Sequence, residues 1–221
     1  MILAITATDF EMAPFLRGAP GACRSLVTGV GVLESGLRLS RYLEQNRREF
    51  TMALHFGVAG AYVDRVDEEA AGLLDICIAE KEILGDLGIC FPQRIDELPE
   101  DLGLQKIFDL DDTLLKQGTA VLEKYGFSWH RGNFVTVNCA SGTRQRGELL
   151  CRKYDGLCEN MEGAAIARVC LEYDLPLMEL RCISNYVVDR DLSGWRLVEA
   201  AKKAGEAAAI AGKACSHYCR Q

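Results

Sequence analysis

No apolar run in this chain approaches the ~20 residues that cross a bilayer. It has no C-x-x-C pair and only three histidines, so the paired spacing of a zinc site is missing and no metal is expected. Positive charge is in deficit. Lys and Arg number 25 against 32 Asp and Glu, a formal net charge of -7, which argues against nucleic acid or an anionic membrane as partner. The short basic run Arg144-Gln145-Arg146 reads as a solvated loop. No Gly-, Pro- or Ser-rich linker and no repeat divides the 221 residues, so one domain over 1–221 is expected. The opening Ile2-Leu3-Ala4-Ile5-Thr6 reads as a strand and not as a secretory leader. A reduced, cytoplasmic protein is therefore expected. Its ten cysteines (23, 77, 90, 139, 151, 158, 170, 182, 215 and 219) fall largely in apolar runs, where a thiol behaves as a small hydrophobe.

What is present is alternation. Strand-length apolar runs at 2–6, 23–28, 52–57, 74–79, 133–138 and 177–183 alternate with amphipathic stretches at 10–16, 33–48, 111–125, 144–153, 162–173 and 193–217. That pattern predicts an α/β fold, a three-layer α/β/α arrangement around a central mixed, twisted sheet. The acidic, Pro-punctuated segment from Glu97 to Asp112 reads as a long surface loop. The Ala-rich last helix reads as a closing helix against the sheet.

Two glycine segments follow strands. Thr28-Gly29-Val30-Gly31 precedes a helix and can present N–H groups to a polar ligand. It is no dinucleotide fingerprint, since Glu34 stands where the third glycine of G-x-G-x-x-G belongs. His55-Phe56-Gly57-Val58-Ala59-Gly60-Ala61 reads as a second turn, and two such turns at strand ends point to one crevice. Four polar residues stand out. Glu11 follows the first strand, where an acid also suits a helix N-terminus, with Asp9 the expected cap. Glu162 opens an Ala-rich helix, and a carboxylate there can hold a vicinal diol or simply complement the dipole. Arg181 follows the buried run Leu177–Leu180, where a structural ion pair is as natural as a functional role. Asn185 carries one donor and one acceptor group and suits a 6-oxopurine edge better than an adenine edge.

The segments Asn160-Met161-Glu162-Gly163-Ala164-Ala165-Ile166-Ala167 and Glu179-Leu180-Arg181-Cys182-Ile183-Ser184-Asn185 resemble the ribose- and base-binding half of the purine nucleoside phosphorylase/nucleosidase superfamily. Leu84-Gly85-Asp86-Leu87-Gly88 and the run Val187–Arg196, ending Ser193-Gly194-Trp195-Arg196, resemble its futalosine hydrolases, relatives of the methylthioadenosine/S-adenosylhomocysteine nucleosidases. The resemblance implies a nucleoside phosphorylase-like fold, a nucleoside substrate, no cofactor and a homodimer or higher oligomer. It implies that Glu11 activates water with help from Arg181, that Asn185 stabilises the leaving base, and that Glu162 and Met161 hold the ribose. Gly57, Val58, Ala59 and Gly60 would form the crevice wall, with Cys139 and Ala140 near the purine. Val58 departs from the nucleosidase pattern, which has Ser there. The implied substrate is futalosine, an inosine-like nucleoside with a carboxyphenyl ketone at its 5′ end. The implied products are hypoxanthine and dehypoxanthine futalosine, in a menaquinone route. Arg94, Arg190 and Arg196 are the cations that could meet the carboxylate. Two other readings share the motif: a phosphorylase of 6-oxopurine nucleosides, and a non-catalytic nucleoside-binding protein.

Overall fold

The structure, a computed structural model, describes residues 1–19, 21, 23–63 and 70–218. Cys219 lies outside them. Period-two alternation assigns each strand face to a layer. In β1 (Ile2–Thr6), Ile2 and Ala4 pack with Met12 and Phe15 of α1 (Asp9–Leu16). Leu3 and Ile5 turn the other way, toward Leu39 and Leu43 of α2 (Val32–Asn46). β2 (Cys23–Val27) pairs parallel to β1 at the sheet edge. β3 (Met52–Ala61) follows the same rule, with Met52, Leu54 and Phe56 on the first face and Ala53 on the second.

The remaining elements are β4 (Ile76–Leu84), the hairpin β5 (Ile89–Phe91) and β6 (Arg94–Asp96), β7 (Ile107–Asp109), α3 (Asp112–Lys124), β8 (Trp129–Thr136), α4 (Arg144–Tyr154), β9 (Gly156–Asn160), α5 (Gly163–Glu172), β10 (Leu177–Tyr186) and α6 (Leu197–Tyr218). α1, α3 and α6 cover one side, and α2 and α5 the other. The mixed sheet with helices on both sides agrees with the expected class. Its closure is additional: β3 pairs with β10, β10 with β4, β4 with β8, β8 with β9, and β9 returns to β3. Ala59, Ala61, Cys77, Ala79, Phe134, Cys158 and Ile183, drawn from all five of these strands, form one cluster. Cys151, Cys170, Cys182 and Cys215 are likewise buried in apolar clusters.

Four local expectations need correction. Residues 55–61 form no turn: β3 runs to Ala61, because β10 pairs with it to the end and β9 joins it at Gly60. Asp9 is not the cap of α1. Thr8 is, and Thr8 and Glu11 form a capping box. The segment 97–112 is not all loop, since Ile107–Asp109 pairs with β4. The strand Gly156–Asn160 was read as no element at all; its Gly, Cys, Glu and Asn carry little β propensity, and pairing on both edges holds it.

Close packing of α1 on α6 depends on Gly205. A Cβ there would lie 2.7 Å from the Phe15 backbone nitrogen and 2.8 Å from Pro14 Cβ. Gly205→Ala would gain roughly 1 kcal/mol of helix propensity. The clash is with backbone, however, so overpacking of about 1–3 kcal/mol outweighs that gain. Urea unfolding should show a net loss; unchanged or higher stability would contradict this packing.

Candidate active site

One edge of β3 changes partner. β1 accompanies it as far as His55, and β9 arrives at Gly60. Between them no strand among the described residues pairs with that edge, and a backbone N–H there needs another acceptor. The Val58 N–H donates to Glu11 Oε1 at 3.1 Å. Glu11 Oε2 accepts from the Thr8 N–H at 3.2 Å and the Thr8 hydroxyl at 2.8 Å. The capping role and the site role of Glu11 therefore coexist: one carboxylate closes the first turn of α1 and docks on the gap in β3. Val58, lacking the hydroxyl found in nucleosidases, contributes through its backbone.

Gly57 lies beneath this contact. A Cβ at Gly57 would sit 2.5 Å from Glu11 Oε1 and 2.9 Å from Arg181 Nη1. Its absence leaves room for both the carboxylate and the guanidinium against the strand. Arg181 continues the buried run that precedes it. It lies mid-β10 and is 1% exposed. Its Nε and Nη2 contact Glu179 Oε1 at 2.9 and 2.8 Å, its Nη1 lies 3.6 Å from Glu162 Oε2, and His55 Nε2 is 3.1 Å from Nη2. Burial opposes the charge on Arg181, but Glu179, then Glu162, Glu11 and Glu82, outweigh it and raise its pKa. Burial alone would push Glu179 up; His55 and Arg181 reverse this and lower it to about 2. Glu82 goes the other way. Burial and the charge of Glu179 raise it well above the carboxylate range, despite hydrogen bonds from Thr136 and Asn160.

Glu162 stands at the N-cap position of α5 and accepts from the Gly31 N–H at 3.0 Å. Gly31, at φ +91°, has the left-handed backbone that glycine tolerates. The first glycine segment thus binds the carboxylate of Glu162. Asn160 Oδ1 accepts from the Glu162 and Gly163 N–H groups and fixes that corner. At the far end of β10, the Ser184 hydroxyl donates to Asn185 Oδ1 at 2.8 Å, which orients the amide with its NH₂ away from Ser184.

These elements enclose a cavity of about 260 Å³. Glu11, Val58, Ala59, Gly60, Ala140, Met161, Glu162, Arg181 and Asn185 all line it. Gly57 lies behind its wall. Cys139 does not line it: the side chain is exposed and the backbone N–H donates to Asp86 Oδ2 at 3.4 Å. Sequence reasoning missed Glu159, Ser141, Trp195 and Phe10 in the lining, and the buried group Glu179, His55 and Glu82 behind it. Glu179 and His55 were visible as charged residues inside apolar runs, a pattern that signals a buried pair.

Three carboxylates, Glu11, Glu159 and Glu162, therefore line a small cavity, and the Arg181 guanidinium, 3.6 Å from Glu162, already has its own partner in Glu179. A cavity of that sign favours a cationic transition state in a glycosidic cleavage. The sequence pattern of the phosphorylase superfamily matches residues 28–217. Futalosine hydrolase of Thermus thermophilus is 32% identical over 220 residues, covering 90% of each chain. That of Acidothermus cellulolyticus is 30% identical, over 86% of this chain and 75% of its own. A structure of a futalosine hydrolase mutant of Helicobacter pylori superposes with a TM-score of 0.80 at 19% identity, covering 96% of this chain and 98% of that one. The chain belongs to the phosphorylase superfamily, and within it to the family of the futalosine hydrolases.

The buried charges make opposite predictions for two isosteric changes. Glu179→Gln leaves Arg181 without its nearest anion, and unfolding free energy should fall by about 3–5 kcal/mol. Glu82→Gln removes a charge that burial and Glu179 both oppose, and should change stability by less than about 1 kcal/mol. Equal losses in urea titrations would refute this division of roles.

Proposed function

We propose that this protein hydrolyses the N-glycosidic bond of futalosine, releasing hypoxanthine and dehypoxanthine futalosine in a menaquinone route. The observation that carries the reading is the convergence of Glu11, Glu162, Arg181 and Asn185 on one cavity. The names of the relatives supply the substrate.

At the base end, Asn185 donates from its NH₂ to the 6-oxo group and accepts N7–H through Oδ1 as the purine leaves. Ala59 and Gly60 form the floor, and Ala140 lies beside it. At the sugar, Glu162 accepts from the 2′- and 3′-hydroxyls while Met161 packs on the ring. Glu11 accepts a proton from a water on the face opposite the base, and Arg181 positions it. The C1′–N9 bond breaks with its electron pair going to the base, the water oxygen bonds to C1′, and N7 of the departing base takes a proton from solvent, to which Glu11 returns the one it accepted. The two carboxylates stabilise the positive charge on the ribosyl group at the moment it forms.

At the 5′ end, Arg190 is the cation best placed for a carboxylate. It lines the cavity and lies 5.2 Å from the Trp195 ring centroid. Arg196 is paired with Glu199, and Arg94 is paired with Asp96 and stacked on Phe91 away from the cavity. Val30 on the cavity lip, with Leu33 and Leu37 beyond it, is exposed and apolar, which suits cover by a second copy and supports a homodimer. α1, β3, β9 and β10 bring site residues from both ends of the chain, which supports a single domain. Among the described residues no helix is long and apolar enough to cross a membrane. A cytoplasmic location is part of this reading and rests on the family.

The test is base release from futalosine, its 6-amino counterpart, inosine and methylthioadenosine, with and without phosphate. Hypoxanthine release from futalosine that does not depend on phosphate is expected. A requirement for phosphate would make the protein a phosphorylase, and no release from any substrate would make it a binding protein. Glu11→Gln should lower kcat by about 10²- to 10⁴-fold with KM within a few-fold; near wild-type turnover would remove Glu11 from the reaction. Arg190→Ala should raise KM for futalosine about 10- to 100-fold and leave inosine unaffected. An equal effect on both substrates would remove Arg190 from the 5′ contact.

A further inference from the structure

Glu159 is the one carboxylate of the cavity wall that the reaction above does not use. It is 7% exposed and lines the cavity from β9. It stands directly opposite Gly60 of β3, and Gly60 is in register with Asn185 of β10. Residues in register across neighbouring strands project from the same face. Glu159, Gly60 and Asn185 thus form a row, with a carboxylate at one end, an amide at the other and no side chain between them. Two strand spacings separate the ends by roughly 10 Å, and side chains reaching inward from both leave the width of a heterocycle's polar edge. A Cβ at Gly60 would lie 3.1 Å from Asn185 Nδ2, so the glycine keeps the floor open beside the amide.

Three donors already hold Glu159. The Ser141 N–H reaches Oε1 at 2.8 Å, and the Ser141 and Tyr62 hydroxyls reach Oε2 at 2.7 and 3.2 Å. Burial raises the pKa of Glu159, and the Ser141 and Tyr62 donors together with Arg146 oppose that rise; in its ionised form the carboxylate has about four acceptor sites and no donor, which leaves one on Oε1. A 6-oxopurine carries N1–H next to its oxo group. A 6-aminopurine carries a bare N1 lone pair in that place, and this would face a carboxylate oxygen with no proton between them.

We propose that Glu159 reads the purine at N1, accepting N1–H of a 6-oxopurine and rejecting 6-aminopurines, while Asn185 reads the O6 and N7 edge. The proposal rests on the nucleosidase reading of the cavity and assigns a second, independent determinant of base choice to it. Glu159 is a specificity residue here and takes no part in activating water.

The test is Glu159→Met, which keeps the volume of the side chain and removes the oxygen that would accept N1–H. kcat/KM is measured for futalosine and for its 6-amino counterpart, and Kd by calorimetry for free hypoxanthine and adenine. The 6-oxo to 6-amino preference should fall about 10- to 100-fold in both measurements. A side chain that only anchors Ser141 would lower both substrates and both bases alike, and an unchanged ratio overturns the proposal. If the wild type releases no base, the hydrolase reading fails by itself, and the two Kd values still decide the base assignment. If the methionine variant does not fold, Glu159→Asp is measured in the same way. Withdrawing the carboxylate by one methylene should weaken hypoxanthine at least about tenfold and leave adenine unchanged, and equal changes for the two bases overturn it.

Discussion

A single buried guanidinium organises this molecule. Arg181 lies on β10 beside Gly57 of β3, where the charges of Glu179, Glu162, Glu11 and Glu82 act on it. Burying a lone cation costs several kcal/mol, and the cost is recovered only when anions with good geometry surround it. The cluster settles this by unequal sharing. Glu179 stays ionised against Arg181 and His55, and Glu82 is driven toward its neutral form. Glu11 and Glu162 remain to face the cavity. The interior pairing and the charge of the cavity wall are thus one arrangement. In the proposed reaction the same arrangement keeps negative potential where the sugar becomes positive.

The sheet explains why these groups meet there. β3 is too long for one partner on its first edge, so β1 leaves at His55 and β9 enters at Gly60. The unpaired stretch receives the Glu11 carboxylate through the Val58 N–H. Ligands in α/β sheets collect where strand order changes direction, and this gap is such a point, made sharper by closure of the sheet. Gly57 and Gly60 sit at the two ends of the gap. One leaves room for Glu11 and Arg181 against the strand, and the other leaves floor space between Glu159 and Asn185.

The sequence made much of this legible, for definite reasons. The strands and helices that carry apolar periodicity were readable to within a few residues, from β1 through α6. Glu162 and Asn185 stood out because each sits in a motif with local context. The closure of the sheet was not legible, since it depends on β9, a five-residue strand of weak propensity held only by its neighbours. The glycines at 57 and 60 suggested a turn, whereas they are needed for close approach within a strand. Cys139 was placed near the purine by position along the chain, but Asp86 holds that backbone outward. Glu159 gave no signal at all: a Glu beside the Asn160-Met161-Glu162 motif looks like any other acid until register sets it across from Gly60.

The sign of the cavity also bears on the choice between water and phosphate as nucleophile. Both would approach the sugar opposite the base, on the side where Glu11 stands. A unit charge about 5 Å from another, at an effective dielectric constant of about 20, contributes about 3 kcal/mol, near two decades in rate or affinity. For a neutral water that becomes acidic on attack, a carboxylate in this place is an acceptor. For a phosphate dianion it is a repulsion, and Arg181 offers little relief because Glu179 already holds two of its three nitrogens at 2.9 and 2.8 Å. The same ion pair that stabilises the fold therefore withholds the cation a phosphorylase would need, and the electrostatics of the interior favour hydrolysis.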